Sequence, residues 1–240
     1  MLKLDILVLA VHPDDAELGC SGTLLKHASE GKKVGIVDLT RGELGTRGTA
    51  ETRDEEAADA AKILGLDVRE NLKMPDGFFQ NDEENRLKII KTIRQYQPEI
   101  IITNAITDRH PDHGRAGQLV NDATFLSGLI KIKTEHAGVE QEAWRPKLVL
   151  QFIQDYYIKP DIIIDVTDYW DKKMASIQAY KTQFYHPEYN EDAETYISSP
   201  EFIHIIEGRA REFGKNIGVK YGEGFTCKRQ LGVNNLFNLL

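Results

Sequence analysis

Two clusters of histidine and aspartate residues could carry chemistry in this chain. The first, His-Pro-Asp-Asp at residues 12–15, follows the apolar run 4–10, and the second, His-Pro-Asp-His at residues 110–113, follows the apolar run 100–103. Two histidines and one carboxylate form a ligand set for zinc that leaves one position open for water. The two clusters together therefore predict one catalytic metal site.

Each cluster alone has a simpler interpretation as a helix start. Asp14 or Asp15 could cap the helix that follows the first cluster, and Asp112 could cap the helix that follows the second. Capping uses a side-chain oxygen, so it does not explain the histidine that opens each cluster, nor the additional His113. For the individual carboxylates both interpretations stay open, whereas the pair of clusters favours the metal site.

The elements that must position these clusters follow an alternating pattern. Short apolar runs alternate with amphipathic stretches, which is typical of βαβ units in a parallel sheet. The pattern predicts strands at 5–10, 33–39, 68–72, 100–103, 147–153 and 162–165, and helices at 17–30, 52–64, 84–96, 169–180 and 200–216. The segment 184–199 has little periodicity and is predicted to be a loop.

The predicted fold class is α/β, a Rossmann-like open, mostly parallel sheet with helices on both faces, in a single domain over residues 1–240. In such sheets ligands bind at the carboxyl ends of the strands that flank the point where the strand order reverses. With the order 3-2-1-4, the ends of strands 1 and 4 are neighbours, and right-handed crossovers bring both following loops to the same edge. We therefore expect the active site at the carboxyl ends of strands 1 and 4.

Composition limits the classes of function. The chain has 240 residues, a net charge of −8 and two cysteines, Cys20 and Cys227. Without a basic surface, no nucleic-acid partner is expected. No apolar run approaches the roughly 20 residues of a membrane helix, so no membrane partner is expected either. The two cysteines form no disulfide framework, and with no secretion signal at the N-terminus they favour a cytoplasmic protein.

Several segments resemble a known family. The two clusters, together with TRGELGTRGTAETR at 40–53, GRAREFG at 208–214 and YGEGF at 221–225, are similar to the PIG-L (LmbE-like) zinc-dependent N-deacetylases over essentially the whole chain. The resemblance implies a hydrolase that removes acetate from an N-acetylglucosamine conjugate. Within the family, the similarity points most strongly to N-acetylglucosaminyl L-malate of bacillithiol biosynthesis. Plain N-acetylglucosamine or a short chitooligosaccharide is the alternative substrate.

The resemblance also implies roles for individual residues. His12, Asp15 and His113 would bind one Zn²⁺ per chain, with Fe²⁺ or Co²⁺ as substitutes, and Asp14 would be the general base that takes a proton from a metal-activated water. Because Asp14 is adjacent to a ligand in sequence, it cannot easily share the ligand's coordination position. His110 would face the developing oxyanion or the leaving amine.

Further residues are expected to support catalysis or to bind the substrate. Asp112 would orient His110, although a role as a helix cap stays open. Arg53 and Arg109 would hold the two carboxylates of a malate, and the glycine-rich segment 41–49 would be a mobile substrate loop. Three residues in the predicted loop 184–199 could close over the sugar, but no role can be assigned to them: Tyr185, His186 and Tyr196.

Other classes of protein could use a similar set of residues. Non-haem iron oxygenases take two histidines and a carboxylate, but they usually have double-sheet β folds. A nucleotide-binding module is disfavoured because the loop after the first strand lacks GxGxxG. In a non-catalytic metal carrier, Asp14 and His110 would have no use. The resemblance further implies a small-molecule sugar as the partner and a homo-oligomer, a hexamer formed as a dimer of trimers.

Overall fold

Strands and helices alternate along the first half of the chain in the computed structural model, which describes residues 2–187, 189 and 193–239. The strands are β1 (Ile6–Ala10), β2 (Val34–Asp38), β3 (Val68–Asn71), β4 (Ile100–Thr103), β5 (Glu135–His136), β6 (Val139–Glu140), β7 (Leu148–Phe152), β8 (Ile162–Asp165) and β9 (Gly222–Thr226). The helices are α1 (Asp15–Ser29), α2 (Ala50–Leu64), α3 (Glu83–Tyr96), α4 (Pro111–Ser127), α5 (Trp170–Gln178) and α6 (Pro200–Asn216).

Seven strands form one sheet in the order β3-β2-β1-β4-β7-β9-β8. The pairs β1 with β2, β1 with β4, β2 with β3, and β4 with β7 are all parallel. The predicted order 3-2-1-4 and the mostly parallel α/β sheet are therefore confirmed. The short strands β5 and β6 form a separate antiparallel hairpin.

Strand β9 was not predicted. It lies between β7 and β8 and is antiparallel to both. Glycine and glutamate are depleted in strands, so its sequence Gly-Glu-Gly-Phe-Thr gave no strand signal. A Cβ at Gly224 would lie 2.8 Å from Cε2 of Phe213 on α6. The glycine therefore lets α6 pack directly on the strand.

The helix boundaries differ from the prediction where they matter for chemistry. Helix α1 begins at Asp15 rather than at 17, and α2 begins at Ala50 rather than at 52. As a result, Asp15 of the first cluster lies in the first turn of a helix. The predicted loop 184–199 contains a 3₁₀ turn at Tyr196–Ser198, while residues 188 and 190–192 of that loop lie outside the described residues.

Apolar cores cover both faces of the sheet. Along β1, side chains alternate between the faces, as they must in a strand. Leu7 and Leu9 pack in a core with residues of α3 and α4, whereas Ile6 and Val8 pack in another with residues of α1. This confirms the predicted helices on both faces. Among the helices of the described ranges, none is long and apolar enough to cross a membrane.

Candidate active site

The two histidine clusters meet at one edge of the sheet. Strands β1 and β4 are parallel neighbours, and the clusters follow their carboxyl ends. The ring centroid of His12 lies 4.8 Å from that of His110 and 5.7 Å from that of His113, while the rings of His110 and His113 are 5.2 Å apart. Topology thus brings together residues that are about 100 positions apart in sequence, as the strand order predicted.

The carboxylate of Asp15 lies between two of these rings. Its Oδ2 is 3.4 Å from His12 Nδ1, and its Oδ1 is 3.3 Å from His113 Nε2. Gln154 Nε2 donates to Oδ1 at 2.7 Å and Asn104 Nδ2 donates to Oδ2 at 3.2 Å. Although burial alone would raise it, the pKa of Asp15 is held well below its usual range by His113 and His12. A buried, ionised and oriented carboxylate therefore faces both rings.

Two further carboxylates orient the rings from behind. His12 Nε2 donates to Asp76 Oδ1 at 2.9 Å, and His113 Nδ1 donates to Asp108 Oδ2 at 2.8 Å. One ring proton is therefore held at the nitrogen that faces Asp76 or Asp108, and the other ring nitrogen faces Asp15, where it offers a lone pair to a metal once its own proton is displaced. Neither Asp76 nor Asp108 was predicted. Asp108 could have been found as a carboxylate five residues before His113, whereas Asp76 gave no local signal.

The carboxylates of Asp15, Asp76 and Asp108 also stabilise positive charge on the rings of His12 and His113. Burial lowers the pKa of a histidine, but Asp15 and Asp76 overcome it and raise the pKa of His12 to about 10. Asp15 and Asp108 likewise overcome burial and raise the pKa of His113 to about 9. An environment that favours a cation on these rings is also one that favours a bound metal cation.

His110 is held differently from the other two histidines. Its Nδ1 accepts a hydrogen bond from the backbone N–H of Asp112 at 3.3 Å, which leaves the ring proton on Nε2. Burial, followed by the charges of His12 and His113, lowers the pKa of His110. A neutral ring with its proton on Nε2 can donate a hydrogen bond but cannot offer that nitrogen to a metal.

The side chain of Asp112 does not hydrogen-bond His110. Its Oδ2 accepts from the backbone N–H of Gly77 at 2.8 Å, and its Oδ1 accepts from Arg115 Nη1 at 2.6 Å. The expected contact between the Asp112 carboxylate and the ring is replaced by the backbone contact. The N-cap of α4 is His110 rather than Asp112, since the His110 side chain accepts the capping hydrogen bond.

The convergent atoms fit a divalent metal. Nitrogen atoms of His12, His110 and His113 lie within 4.8 Å of one another, and Asp15 adds its two oxygens to this group. A bound metal can displace the protons of His12 Nδ1 and His113 Nε2, because the other nitrogen of each ring keeps its proton on a carboxylate. In His110 the hydrogen bond to Nδ1 leaves the proton on Nε2. Two imidazoles and a carboxylate are therefore available as ligands, which is the donor set that zinc accepts. A second group of His12, Asp76 and Asp112 also lies within 4.8 Å, but there the histidine nitrogen is hydrogen-bonded.

Asp14 has a strained backbone and a buried ion pair. Its φ of 126° lies where residues other than glycine rarely occur. It occupies the N-cap position of α1, but its side chain makes no capping hydrogen bond, so capping does not explain it. Instead, Oδ2 accepts from Arg53 Nη2 at 2.7 Å, with both side chains 6 % exposed. Burial raises the pKa of Asp14 to about 7 against the opposing charge of Arg53.

The two arginines expected to bind substrate occupy different environments. Both line the cavity, but the guanidinium of Arg53 is engaged by Asp14, whereas Arg109 lies at the exposed mouth. Arg109 Nε donates to Asp155 Oδ2 at 3.1 Å, and its guanidinium lies 4.8 Å from the ring centroid of Tyr196. Tyr196 thus belongs to the described lining. Tyr185 and His186 do not belong to that lining.

The cavity in front of these residues has a volume of about 320 Å³. Its lining includes the histidine and aspartate clusters and, from α6, the apolar side chains of Phe202, Ile206 and Ala210. A cavity of this size can hold a small molecule with a polar reacting group.

A buried ion pair fixes the wall of the cavity. Lys173 Nζ donates to Glu223 Oε1 at 2.6 Å, and the Glu223 carboxylate also accepts from the backbone N–H groups of Gly22 and Thr23. These contacts fasten α1, whose first turn carries Asp15, to β9. The segment 221–225 was noticed only through its resemblance to a family, and its glutamate had no predicted role.

Comparisons with known proteins agree with this geometry. The family described as PIG-L, GlcNAc-PI de-N-acetylase, matches residues 7–124. The crystal structure of the conserved protein TT1542 from Thermus thermophilus is 37 % identical, with a TM-score of 0.84 over 96 % of this chain and 98 % of that one. Diacetylchitobiose deacetylase of Thermococcus kodakarensis is 28 % identical over 91 % of this chain and 81 % of its own length.

Two further relatives differ in the reaction that they are named for. A probable N-acetyl-α-D-glucosaminyl L-malate deacetylase 2 of Bacillus anthracis is 26 % identical over 75 % of this chain and 81 % of its own length. A 4-oxalmesaconate hydratase of Pseudomonas putida is 26 % identical over 76 % of this chain and 75 % of its own length. Similar chains thus include both deacetylases and a hydratase.

Proposed function

This chain belongs to the PIG-L family of deacetylases that act on N-acetylglucosamine-type conjugates, and we propose that it hydrolyses the acetamide of such a conjugate in a metal-dependent reaction. The observation that carries the proposal is the placement of Asp14. It is a buried carboxylate with a pKa near 7, adjacent to a ligand set of two histidines and Asp15. A general base is most effective when its pKa lies near the working pH.

His12 Nδ1, Asp15 and His113 Nε2 would hold the metal. When bound, a zinc ion would polarise the acetyl carbonyl and lower the pKa of a water molecule toward ~7. Iron(II) or cobalt(II) could take the same ligands.

The chain's own residues then divide the proton transfers. Asp14 takes the proton from the attacking water and can return it to the amine as the C–N bond breaks. His110 Nε2–H donates a hydrogen bond to the oxygen on which negative charge develops. Arg53 keeps Asp14 in place, and Asp112 keeps the His110 ring in place through its backbone N–H.

We further propose N-acetylglucosaminyl L-malate as the substrate. Arg109, at the mouth of the cavity, is the cation that supports binding of a malate carboxylate, and the Bacillus relative named for this substrate adds support. Arg53 is engaged by Asp14, so its effect on a carboxylate would be indirect. A chitooligosaccharide is the second candidate, because the relative with the longer match is a diacetylchitobiose deacetylase.

We also propose a domain organisation, a metal stoichiometry, an oligomeric state and a cellular location for this protein. We take it to be a single domain over residues 1–240 that binds one zinc per chain and assembles as a homohexamer in the cytoplasm. These features rest on the resemblance to the family and on the two unpaired cysteines.

Acetate release tests the proposal. Purified protein of measured metal content is incubated with N-acetylglucosaminyl malate and, in parallel, with N,N′-diacetylchitobiose. We expect acetate from the malate conjugate, with turnover lost in Asp14→Asn and kept in Asp59→Asn, which changes an exposed aspartate paired with Lys62 on α2. A preference for the chitobiose would contradict the proposed malate substrate but would still support the proposed deacetylation. No acetate from either, in a metal-loaded protein, would favour a hydratase or a non-catalytic metal-binding protein.

A further inference from the structure

We propose that Asp76 is a positioning residue that couples the metal ligand His12 to the glycine-rich loop, residues 41–49, so that metal binding and loop order depend on each other. The inference rests on the proposed metal site and deepens it. It does not depend on which acetylated substrate the protein uses.

Both carboxylate oxygens of Asp76 accept hydrogen bonds, one from His12 and the other from the loop. Oδ1 accepts from His12 Nε2 at 2.9 Å, and Oδ2 accepts from the backbone N–H of Leu44 at 3.0 Å. The backbone N–H of Asp76 in turn donates to Glu43 Oε1 at 2.9 Å. The side chain is 6 % exposed. One buried carboxylate therefore joins a ligand on the β1 side to the tip of the loop after β2.

A second connection from the same loop reaches the general base. Arg53, which binds Asp14, also donates from Nη1 to the backbone carbonyl of Gly42 at 3.5 Å. A Cβ at Gly42 would lie 1.8 Å from that Nη1, and the glycine has a φ of +67°. Only glycine lets the loop backbone come this close to the arginine. Gly42 is thus linked through Arg53 to the proposed base Asp14. Leu44 is linked through Asp76 to the proposed metal ligand His12.

Hydrogen bonds rather than apolar burial hold the tip of the loop. Residues 43–46 are all exposed, whereas the far end is fixed separately, with Gln183 Nε2 donating to the carbonyl of Arg47 at 2.8 Å. If the tip moves away, Asp76 loses the Leu44 N–H and Glu43, and the carboxylate that orients His12 is released. Coupling of this kind is reciprocal, so a metal on His12 must stabilise the loop by the same factor.

The test uses a residue of the loop, Glu43, that contacts Asp76 but none of the proposed metal ligands. In Glu43→Ala, zinc affinity is measured by competition with a chromogenic chelator, and we expect it to fall about fivefold or more, the lower end of typical coupling. Glu55→Ala is the control, since it removes an equal charge from an exposed position of α2, and its affinity should equal that of the wild type. Asp76→Asn, which keeps one acceptor oxygen, should lower the affinity further.

Hydrogen exchange supplies the reciprocal measurement. Zinc should slow exchange of the backbone amides of residues 42–46 in the wild type, and less so in Glu43→Ala. The coupling would be overturned if Glu43→Ala bound zinc as tightly as the wild type and zinc slowed hydrogen exchange of residues 42–46 equally in both proteins. Asp76 would then be a residue that only orients His12.

Neither readout requires turnover, so the two proposals can fail separately. Coupling without acetate release would contradict the proposed function alone, and acetate release without coupling would contradict this inference alone. A wild-type protein that binds no zinc would overturn both. Melting temperatures of all variants show whether a lost affinity reflects unfolding.

Discussion

The two halves of the site are assembled in different ways. On the β4 side, His113 is oriented by Asp108, five residues away, and His110 by the backbone of Asp112, two residues away. On the β1 side the partners are remote. His12 depends on Asp76, 64 residues away, and Asp14 on Arg53, 39 residues away.

The β1 half of the site depends on more of the fold than the β4 half does. In the β4 half, the contacts that orient the two histidine rings lie within a single loop and helix start. The β1 half is organised only when β2, β3 and α2 are in place, because its partners follow or belong to those elements. Damage to the loops after β2 and β3 should therefore disturb the β1 half first.

The largest effect should come from the β1 half. Asp14→Asn removes the proposed general base but none of the proposed ligands, so turnover should fall by roughly 10²- to 10⁴-fold. Acetate release and metal content are measured on the same sample, with Asp59→Asn as the control. Retained turnover would assign the base to another residue, and lost metal would make Asp14 a ligand.

The corresponding change in the β4 half should be smaller. His110→Ala removes the proposed donor to the developing oxyanion, and loss of such a donor typically costs about 10²- to 10³-fold in kcat. Zinc content should stay at one per chain, whereas His113→Ala should lose it. Equal loss of zinc in both variants would contradict the distinction between donor and ligand.

Removal of either orienting carboxylate should weaken metal binding by about 10- to 100-fold. Asp108→Asn and Asp76→Asn are compared by chelator competition and by hydrogen exchange. Only the Asp76 variant should also increase exchange in residues 42–46, because of these two carboxylates only Asp76 contacts the loop. The comparison between the two halves would fail if both variants loosened the loop equally.

The smallest effect should be a shift in pH dependence. Asp14 must be ionised to act as a base, so activity should fall as the pH drops through its pKa of about 7. Arg53 lowers that pKa, and Arg53→Ala should therefore move the acidic limb of kcat/KM to higher pH. Arg109→Ala should leave the limb in place. A raised KM with an unmoved limb in Arg53→Ala would support direct substrate binding by this arginine instead.

The sequence predicts those parts of the fold and of the site that local patterns specify. The apolar runs give β1 and β4, and the reversal of strand order brings residues 12–15 and 110–113 to one edge, as the sheet confirms. In contrast, β9 was missed because Gly222 and Gly224 are selected by close packing against α6 rather than by strand propensity.

The contacts of Arg53 with Asp14 and of Asp76 with His12 could not be predicted from the sequence, because they too depend on tertiary packing. Arg53 was expected to bind substrate, and its position beside Asp14 depends on how the loop turns at Gly42. Asp76 follows β3 in a segment without any histidine nearby, so nothing in its neighbourhood indicated a role at a metal site. Long-range polar contacts of this kind depend on side-chain geometry, which hydrophobic periodicity does not encode.

We expect the carboxylates of Asp76 and Asp108 to decide which nitrogen of His12 and of His113 faces a bound metal. Anomalous diffraction from zinc-loaded crystals shows which nitrogens bind the ion. We expect one ion per chain bound by His12 Nδ1, Asp15 and His113 Nε2, at the roughly 2.0–2.2 Å typical of zinc, with His110 Nε2 and Asp14 outside bonding distance. An ion bound to His110, or to His12 through Nε2 with the Asp76 hydrogen bond broken, would contradict the account.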